Sequence, residues 1–243
     1  MTPDLVSAFA PSGTLRAAIN VGNPILANTD PTSGEPVGVS IDLAREFARR
    51  LGVPVELVVF EKASAAVDAV RGERADVGFF AVDPARADGL RFSAPYVLIE
   101  GAYLVPEASV LTDNVQVDGV GLRVSVGSGS AYDLFLTREL RHAQIVRFAG
   151  ARPALAALRS GDVDVAAGIR QVLEGEARRA PGVRVLPGRF MVIEQAMGTP
   201  AGRGEAARVA LASFVEETKA SGFVADSLRR HGIRGGTVAP SSS

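Results

Sequence analysis

Along the chain, apolar residues cluster in short runs that alternate with helical stripes. Leu15 to Val21 reads as a strand that stops in N-V-G-N-P, a loop with two amides and a glycine that can let the backbone approach a ligand. Ile41, Ala44, Phe47, Ala48 and Leu51 recur at helical spacing, with Ser40 expected as N-cap, Asp42 in the first turn, and Gly52 and Pro54 as the stop. Val55 to Phe60 is a strand, Ala63 to Arg71 a helix closed by Gly72, and Val77 to Val82 a buried strand leading to Asp83-Pro84. A compact corner is expected at F-S-A-P-Y (92–96), then a strand from Val97 to Val105. After a polar connection, Glu107 to Val120, a second series begins. It has a strand at Leu122 to Val126, a G-S-G-S loop, a helix from Ala131 towards Arg141, a helix with Pro153 in its first turn and Gly161 at its end, and a strand at Val163 to Ala167. A short helix from Arg170, a strand at Val183 to Leu186 and an apolar run from Phe190 to Met197 follow. The chain closes with helices around 207–218 and 223–231. Strands alternating with helices of about ten residues predict parallel β-α-β units, whose ligand sites lie beyond the carboxyl ends of the strands.

Charge and composition narrow the function. Twenty-six cations against 27 carboxylates, without a basic block, argue against nucleic acid as a partner. No cysteine is present, which removes disulfides, thiolate metal sites and a cysteine nucleophile. No run of about 18 apolar residues occurs, so no membrane span is expected. The N-terminus has neither a basic n-region nor an apolar h-region, which sets the expectation of a cytoplasmic protein, or of a periplasmic one if a leader has been removed. His142 and His231 lie far apart without an H-E-x-x-H pattern, and no G-x-S-x-G elbow occurs.

Four stretches in order carry a resemblance: P-V-G-V-S-I-D-L-A-R-E-F-A-R-R-L-G (36–52), the strand and turn ending in Arg86 with F-S-A-P-Y, V-S-V-G-S-G-S-A-Y (124–132), and A-L-R-S-G-D-V-D-V-A-A-G (157–168). Together they make the chain similar to the amino-acid-type solute-binding proteins of bacterial ABC transporters, family 3. The resemblance implies an α/β, two-lobed, periplasmic-binding-protein-like type II fold. Lobe 1 would span 1–104 and 196–243, lobe 2 would span 105–195, and the hinges would lie near Val105 and Glu194. It also implies a ligand in an inter-lobe cleft, with no metal and no cofactor.

By the same resemblance Arg86 falls on the family's turn arginine, which grips a ligand carboxylate through a planar, two-pronged contact. Asn20, Asn23, Glu61, Asp83 and Arg86 all stand just past expected strand ends. Phe80 is a candidate wall for the ligand. In the second lobe Ser128, Gly129, Ser130 and Tyr132 form a candidate anion nest at a helix start, and Arg170 is a second candidate cation. The family's ammonium-binding Asp is missing, since the stretch Asp164 to Gln171 offers Ile169 and Arg170 there. A standard α-amino acid therefore requires Asp83, Glu61 or Glu194 to take over, and otherwise a dicarboxylate or other anionic metabolite is expected.

The reading is a binder of a small carboxylate-bearing metabolite that closes about its hinge, a monomer or weak dimer with a transporter or signalling protein as partner. The alternatives are a lyase of the cyclohexadienyl dehydratase type, with Glu61, Glu100 or Glu194 as acid, and a cytoplasmic metabolite sensor.

Overall fold

The computed structural model describes residues 2–242. In chain order the elements are α1 (Pro3–Phe9), β1 (Leu15–Asn20), β2 (Asn28–Thr29), β3 (Pro36–Val37), α2 (Val39–Leu51), β4 (Val55–Phe60), α3 (Ala63–Arg71) and β5 (Val77–Ala81). A 3-10 turn (Pro84–Arg86) leads into β6 (Leu90–Pro106). There follow β7 (Arg123–Gly127), α4 (Ala131–Glu139), β8 (Gln144–Phe148), α5 (Ala151–Ser160), β9 (Val165–Ile169), α6 (Arg170–Arg179), β10 (Val183–Val185) and β11 (Met191–Pro200). Helices α7 (Gly204–Ala220) and α8 (Phe223–Arg230) and strand β12 (Thr237–Val238) complete the chain.

Two compact units result, one comprising the chain up to Leu98 and from Glu194 onward, the other Ile99–Ile193. The chain thus leaves the first unit inside β6 and returns inside β11. In the first unit β1 pairs in parallel with β4 and β5, and the Gln195–Gly198 part of β11 runs antiparallel to β5. The second unit repeats the plan: β7 pairs in parallel with β8 and β9, and the Gly101–Leu104 part of β6 runs antiparallel to β9. Helices cover each sheet, burying Ala66, Val67, Ala69 and Val70 of α3 in one unit and Leu155, Ala157 and Leu158 of α5 in the other.

One ion pair organises each unit. Arg16 at the start of β1 donates its backbone N–H (2.9 Å) and Nε (3.0 Å) to Asp76 Oδ2, and Nη2 reaches Oδ1 (2.8 Å). Arg123 at the start of β7 makes the same three contacts to Asp164, at 2.8, 3.0 and 3.0 Å. Asp76 and Asp164 immediately precede Val77 and Val165, so each pair pins the beginnings of two adjacent parallel strands. The planar arginine fork suits this task, because one side chain meets both carboxylate oxygens.

Several expectations need correction. Ser40 is not the N-cap of α2; Gly38 holds that position, and the Ser40 hydroxyl is buried within 3.4 Å of the Tyr96 hydroxyl. The anticipated corner at 92–96 lies inside β6, where Phe92, Tyr96 and Val97 favour extended backbone strongly enough to carry the strand through Pro95. Strand β8 and helix α1 lack a clear pattern in the sequence. Helix α1 is held by Phe9, whose ring lies edge-on to Phe47 (4.8 Å), itself tilted against Phe214 (4.7 Å). The end of α2 is as read: Gly52 adopts φ 72°, a left-handed conformation that suits glycine at a helix end.

Candidate functional site

In the first unit the carboxyl ends of β1, β4 and β5 carry most of the candidates. Val21 N donates to Phe60 O (2.9 Å), which brings the loop after β1 against the end of β4. A Cβ on Gly22 would sit 2.2 Å from the Glu61 carbonyl oxygen, so only glycine permits this approach. Asn20 Oδ1 accepts from Gly22 N (3.0 Å) and Asn23 Oδ1 accepts from Ile25 N (3.2 Å). Both carboxamide oxygens therefore shape the loop. The Glu61 side chain is exposed.

Beyond β5 the chain turns sharply. Asp83 caps the 3-10 turn, its Oδ1 accepting from Ala85 N (2.8 Å), and Arg86 N donates to Asp83 O (2.9 Å). The Arg86 side chain folds back so that Nη1 donates to Ala81 O (3.1 Å). Both charged groups are nearly sequestered, Arg86 at 4% and Asp83 at 5% exposure. Burial pulls the Arg86 pKa below its ordinary value, and the negative charge of Asp83 opposes that fall. Val82 N donates to Glu194 O (2.8 Å), which sets the backbone of Glu194 beside this turn while its side chain stays exposed. Asp83, Arg86 and the Glu194 backbone are thus brought together at one strand end, and Asn20 and Glu61 at its neighbours.

Phe80, expected as a ligand wall, is instead a core side chain. Its ring packs with Ala18, Ala66, Val70 and Leu90, and lies edge-on to Phe92 at 6.5 Å. A Cβ on Gly78 would stand 2.1 Å from that ring, so glycine makes room for it.

In the second unit the G-S-G-S loop already holds an anion of its own. Gly129 N donates to Asp133 Oδ2 (2.8 Å), Ser130 Oγ accepts from Asp133 N (3.1 Å), Ser128 N donates to Phe148 O (2.8 Å) and Ser130 N to Gly127 O (3.1 Å). One N–H of the expected nest, that of Gly129, thus meets the Asp133 carboxylate, which Arg147 Nε balances at 2.9 Å. Sequence reasoning missed this because Asp133 reads as an ordinary first-turn residue of α4. Ser128 is exposed and Tyr132 buried. Burial raises the Tyr132 pKa, and hydrogen bonds with Ser130 and Gly127 oppose the rise.

Arg170 is not an unengaged second cation. Its Nε donates to Glu100 Oε2 (2.7 Å) and its Nη2 to the Gly188 carbonyl. Arg189 donates to the other oxygen of Glu100 at 2.9 Å. Bonds from Arg189 and Arg170 lower the Glu100 pKa, the opposite of what a general acid near neutral pH requires. Strand β9 ends on the half-buried Ile169.

Similar folds occur among solved structures. A mutant of ArgBP from T. maritima matches with a TM-score of 0.78 at 21% identity, over 95% of this chain and 100% of that one. The solute receptor for L-cysteine of Neisseria gonorrhoeae matches at 0.78 and 23%, over 93% and 92% of the two chains. An ancestral amino acid-binding protein, AncCDT-1, described as a precursor of cyclohexadienyl dehydratase, matches at 0.76 and 22%, over 94% and 99%. At these identities the likeness is one of fold. No curated protein matches the chain. The family model for bacterial extracellular solute-binding proteins, family 3, matches residues 15–223, a stretch that takes in both repeats of the β-α-β plan and the turn bearing Arg86. The chain belongs to that family of solute-binding proteins.

Proposed function

We propose that this solute-binding protein takes a small metabolite through its carboxylate, with Arg86 as the anchoring cation. One observation carries the reading: a guanidinium 4% exposed, fixed by the Ala81 carbonyl at the end of a parallel strand. Fixed and poorly hydrated, it gives up little conformational freedom or water when a carboxylate arrives, which favours tight binding. Asp83 lines the same turn, and Asn20, Asn23, Glu61 and Glu194 stand at or beside the neighbouring strand ends. Ser128 and Tyr132 are retained as candidates in the second unit. With Arg170 engaged by Glu100, a dicarboxylate loses the second cation that favoured it in the sequence.

Calorimetric titration of wild type and Arg86→Ala with amino acids, 2-oxo acids and dicarboxylates tests the reading. Loss of a desolvated ion-pair partner costs about 2–5 kcal/mol, at least about a thirtyfold weakening. A ligand bound equally by both proteins would overturn the assignment of Arg86.

A second reading, a dehydratase on the same scaffold, is favoured by the likeness to AncCDT-1 alone. Incubation with prephenate and arogenate separates the two: a binder returns them unchanged, a lyase consumes them. The family is one of extracellular proteins by description, which supports a place outside the cytoplasm and delivery of the ligand to a membrane transporter. Among the described residues no helix is long and apolar enough to cross a membrane.

A further inference from the structure

Gln195 lies in the part of β11 that runs antiparallel to β5, and it is only 5% exposed. Every buried serine, threonine, lysine, arginine and carboxylate among the described residues has a protein partner for its side chain. On β11 and its neighbour, for example, Thr199 Oγ1 donates to Asp76 O (2.9 Å) and Ser93 Oγ accepts from Met197 N (3.1 Å). The Gln195 carboxamide hydrogen-bonds none of the described residues. A carboxamide carries two donors and an acceptor oxygen, and burying one without a partner is costly, so its retention calls for a reason.

The place of Gln195 supplies one. Gln195 pairs with Ala81, the last residue of β5, and Val82 N donates to Glu194 O (2.8 Å). Gln195 and Ala81 are therefore a non-hydrogen-bonded pair, in which facing side chains share one side of the sheet at close range. Ala81 is small, and its carbonyl is the one that accepts from Arg86 Nη1 (3.1 Å). Two residues along β11, on the same side, Met197 stands opposite Phe79, and both are buried. The stripe is apolar until it reaches the carboxyl end of β5, where a carboxamide stands in the place of another apolar group. We infer that Gln195 is a ligand-binding residue, which hydrogen-bonds a polar substituent of the ligand and so selects against carboxylates that lack one. The inference rests on the carboxylate-binding reading for where the ligand sits, and adds to it a neutral contact that sorts polar from apolar ligands.

The test compares ligands of like shape within each protein, so that general losses of stability cancel. L-Glutamine with L-methionine, L-threonine with L-valine, and L-malate with succinate are titrated calorimetrically against wild type, Gln195→Met, Gln195→Leu and Arg86→Ala. Wild type should bind the polar member of at least one pair about fivefold or more tightly, the effect of one buried hydrogen bond. Gln195→Met should bring that ratio close to one while the apolar member still binds, and Arg86→Ala should weaken both members. The ligand-free melting temperature of Gln195→Met or Gln195→Leu should equal or exceed that of wild type, since an unmet buried carboxamide is exchanged for an apolar group.

A ratio unchanged in both Gln195 variants, or a wild type that binds both members of every pair equally, overturns the inference and leaves the carboxylate reading standing as long as Arg86→Ala weakens binding. A melting temperature lowered by both substitutions makes the carboxamide a part of the fold and also overturns it. A ratio lost in Gln195→Met with binding indifferent to Arg86→Ala keeps the Gln195 contact and removes Arg86 as the anchor. A wild type that binds none of the six probes overturns both.

Discussion

Glu46, on the outer part of α2, accepts from Arg49 Nε (2.7 Å) and Arg50 Nε (2.8 Å), and Arg50 continues to Glu217 of α7 (2.5 Å). The Arg49 bonds above all, with help from Arg50 and against some desolvation, hold the Glu46 carboxyl at about 2, below its ordinary 4.5. A carboxylate whose pKa is depressed on folding stabilises the fold above its unfolded pKa, and that contribution disappears as pH falls through the folded value. Glu46→Gln should therefore cost about 1 kcal/mol near neutrality, a figure discounted for solvent screening, and the cost should shrink between about pH 5 and pH 2. Denaturant titrations at pH 7, 4 and 2 measure it, and a difference between the proteins that stays constant with pH would show the pairs to be idle. Residues of this kind are hard to read from sequence. The spacing of Glu46 to Arg49 and Arg50 is visible in the chain, but the link to Glu217 is not. The same limit explains Arg170, whose partner Glu100 lies 70 residues away, and the loop at 127–130, whose anion turned out to be Asp133. The turn at Asp83-Pro84 was legible because it is local: Asp83, Pro84 and Arg86 form one short segment whose cap is Asp83 itself.

Among elements, the paired strand beginnings give the clearest test of how the units are held. Asp76 is wholly buried beneath Arg16 and Arg203, whereas the Asp164 side chain is 35% exposed beside Arg123. Removing the buried carboxylate leaves two arginines facing a desolvated place, and Asp76→Ala should destabilise by about 3–5 kcal/mol. Asp164→Ala should cost about 1 kcal/mol, because water replaces much of what is lost. Equal losses in thermal or urea unfolding would mean that exposure does not govern these pairs. The parallel strands and their helices that were legible each carry an apolar run or helical stripe of their own in the sequence. Strand β8 was not: Q-I-V-R-F keeps three apolar residues, none fully buried, at the sheet's edge beside β7. Helix α1 was missed for a related reason. Seven residues make a weak stripe, and what holds them is Phe9 against Phe47 and Phe214, contacts formed with residues far away in the chain.

At the scale of the whole chain, the two units share one plan but their strand ends are dressed differently. The first offers a sequestered cation beside a sequestered carboxylate; the second offers a loop whose Gly129 N–H meets Asp133, an arginine paired with Glu100, and an apolar Ile169. If Arg86 is the anchor, binding energy should reside mainly in the first unit. Hydrogen exchange read by mass spectrometry, with and without a saturating amino acid ligand, resolves this by segment. Protection should be largest over 20–23, 61–62 and 81–87, since a ligand that binds only the folded state lowers the opening of the backbone it touches. Added protection over 127–132 and 168–171 would locate the second unit's share. Protection confined to the second unit would place the anchor there and remove Arg86 from the site, however well buried it is.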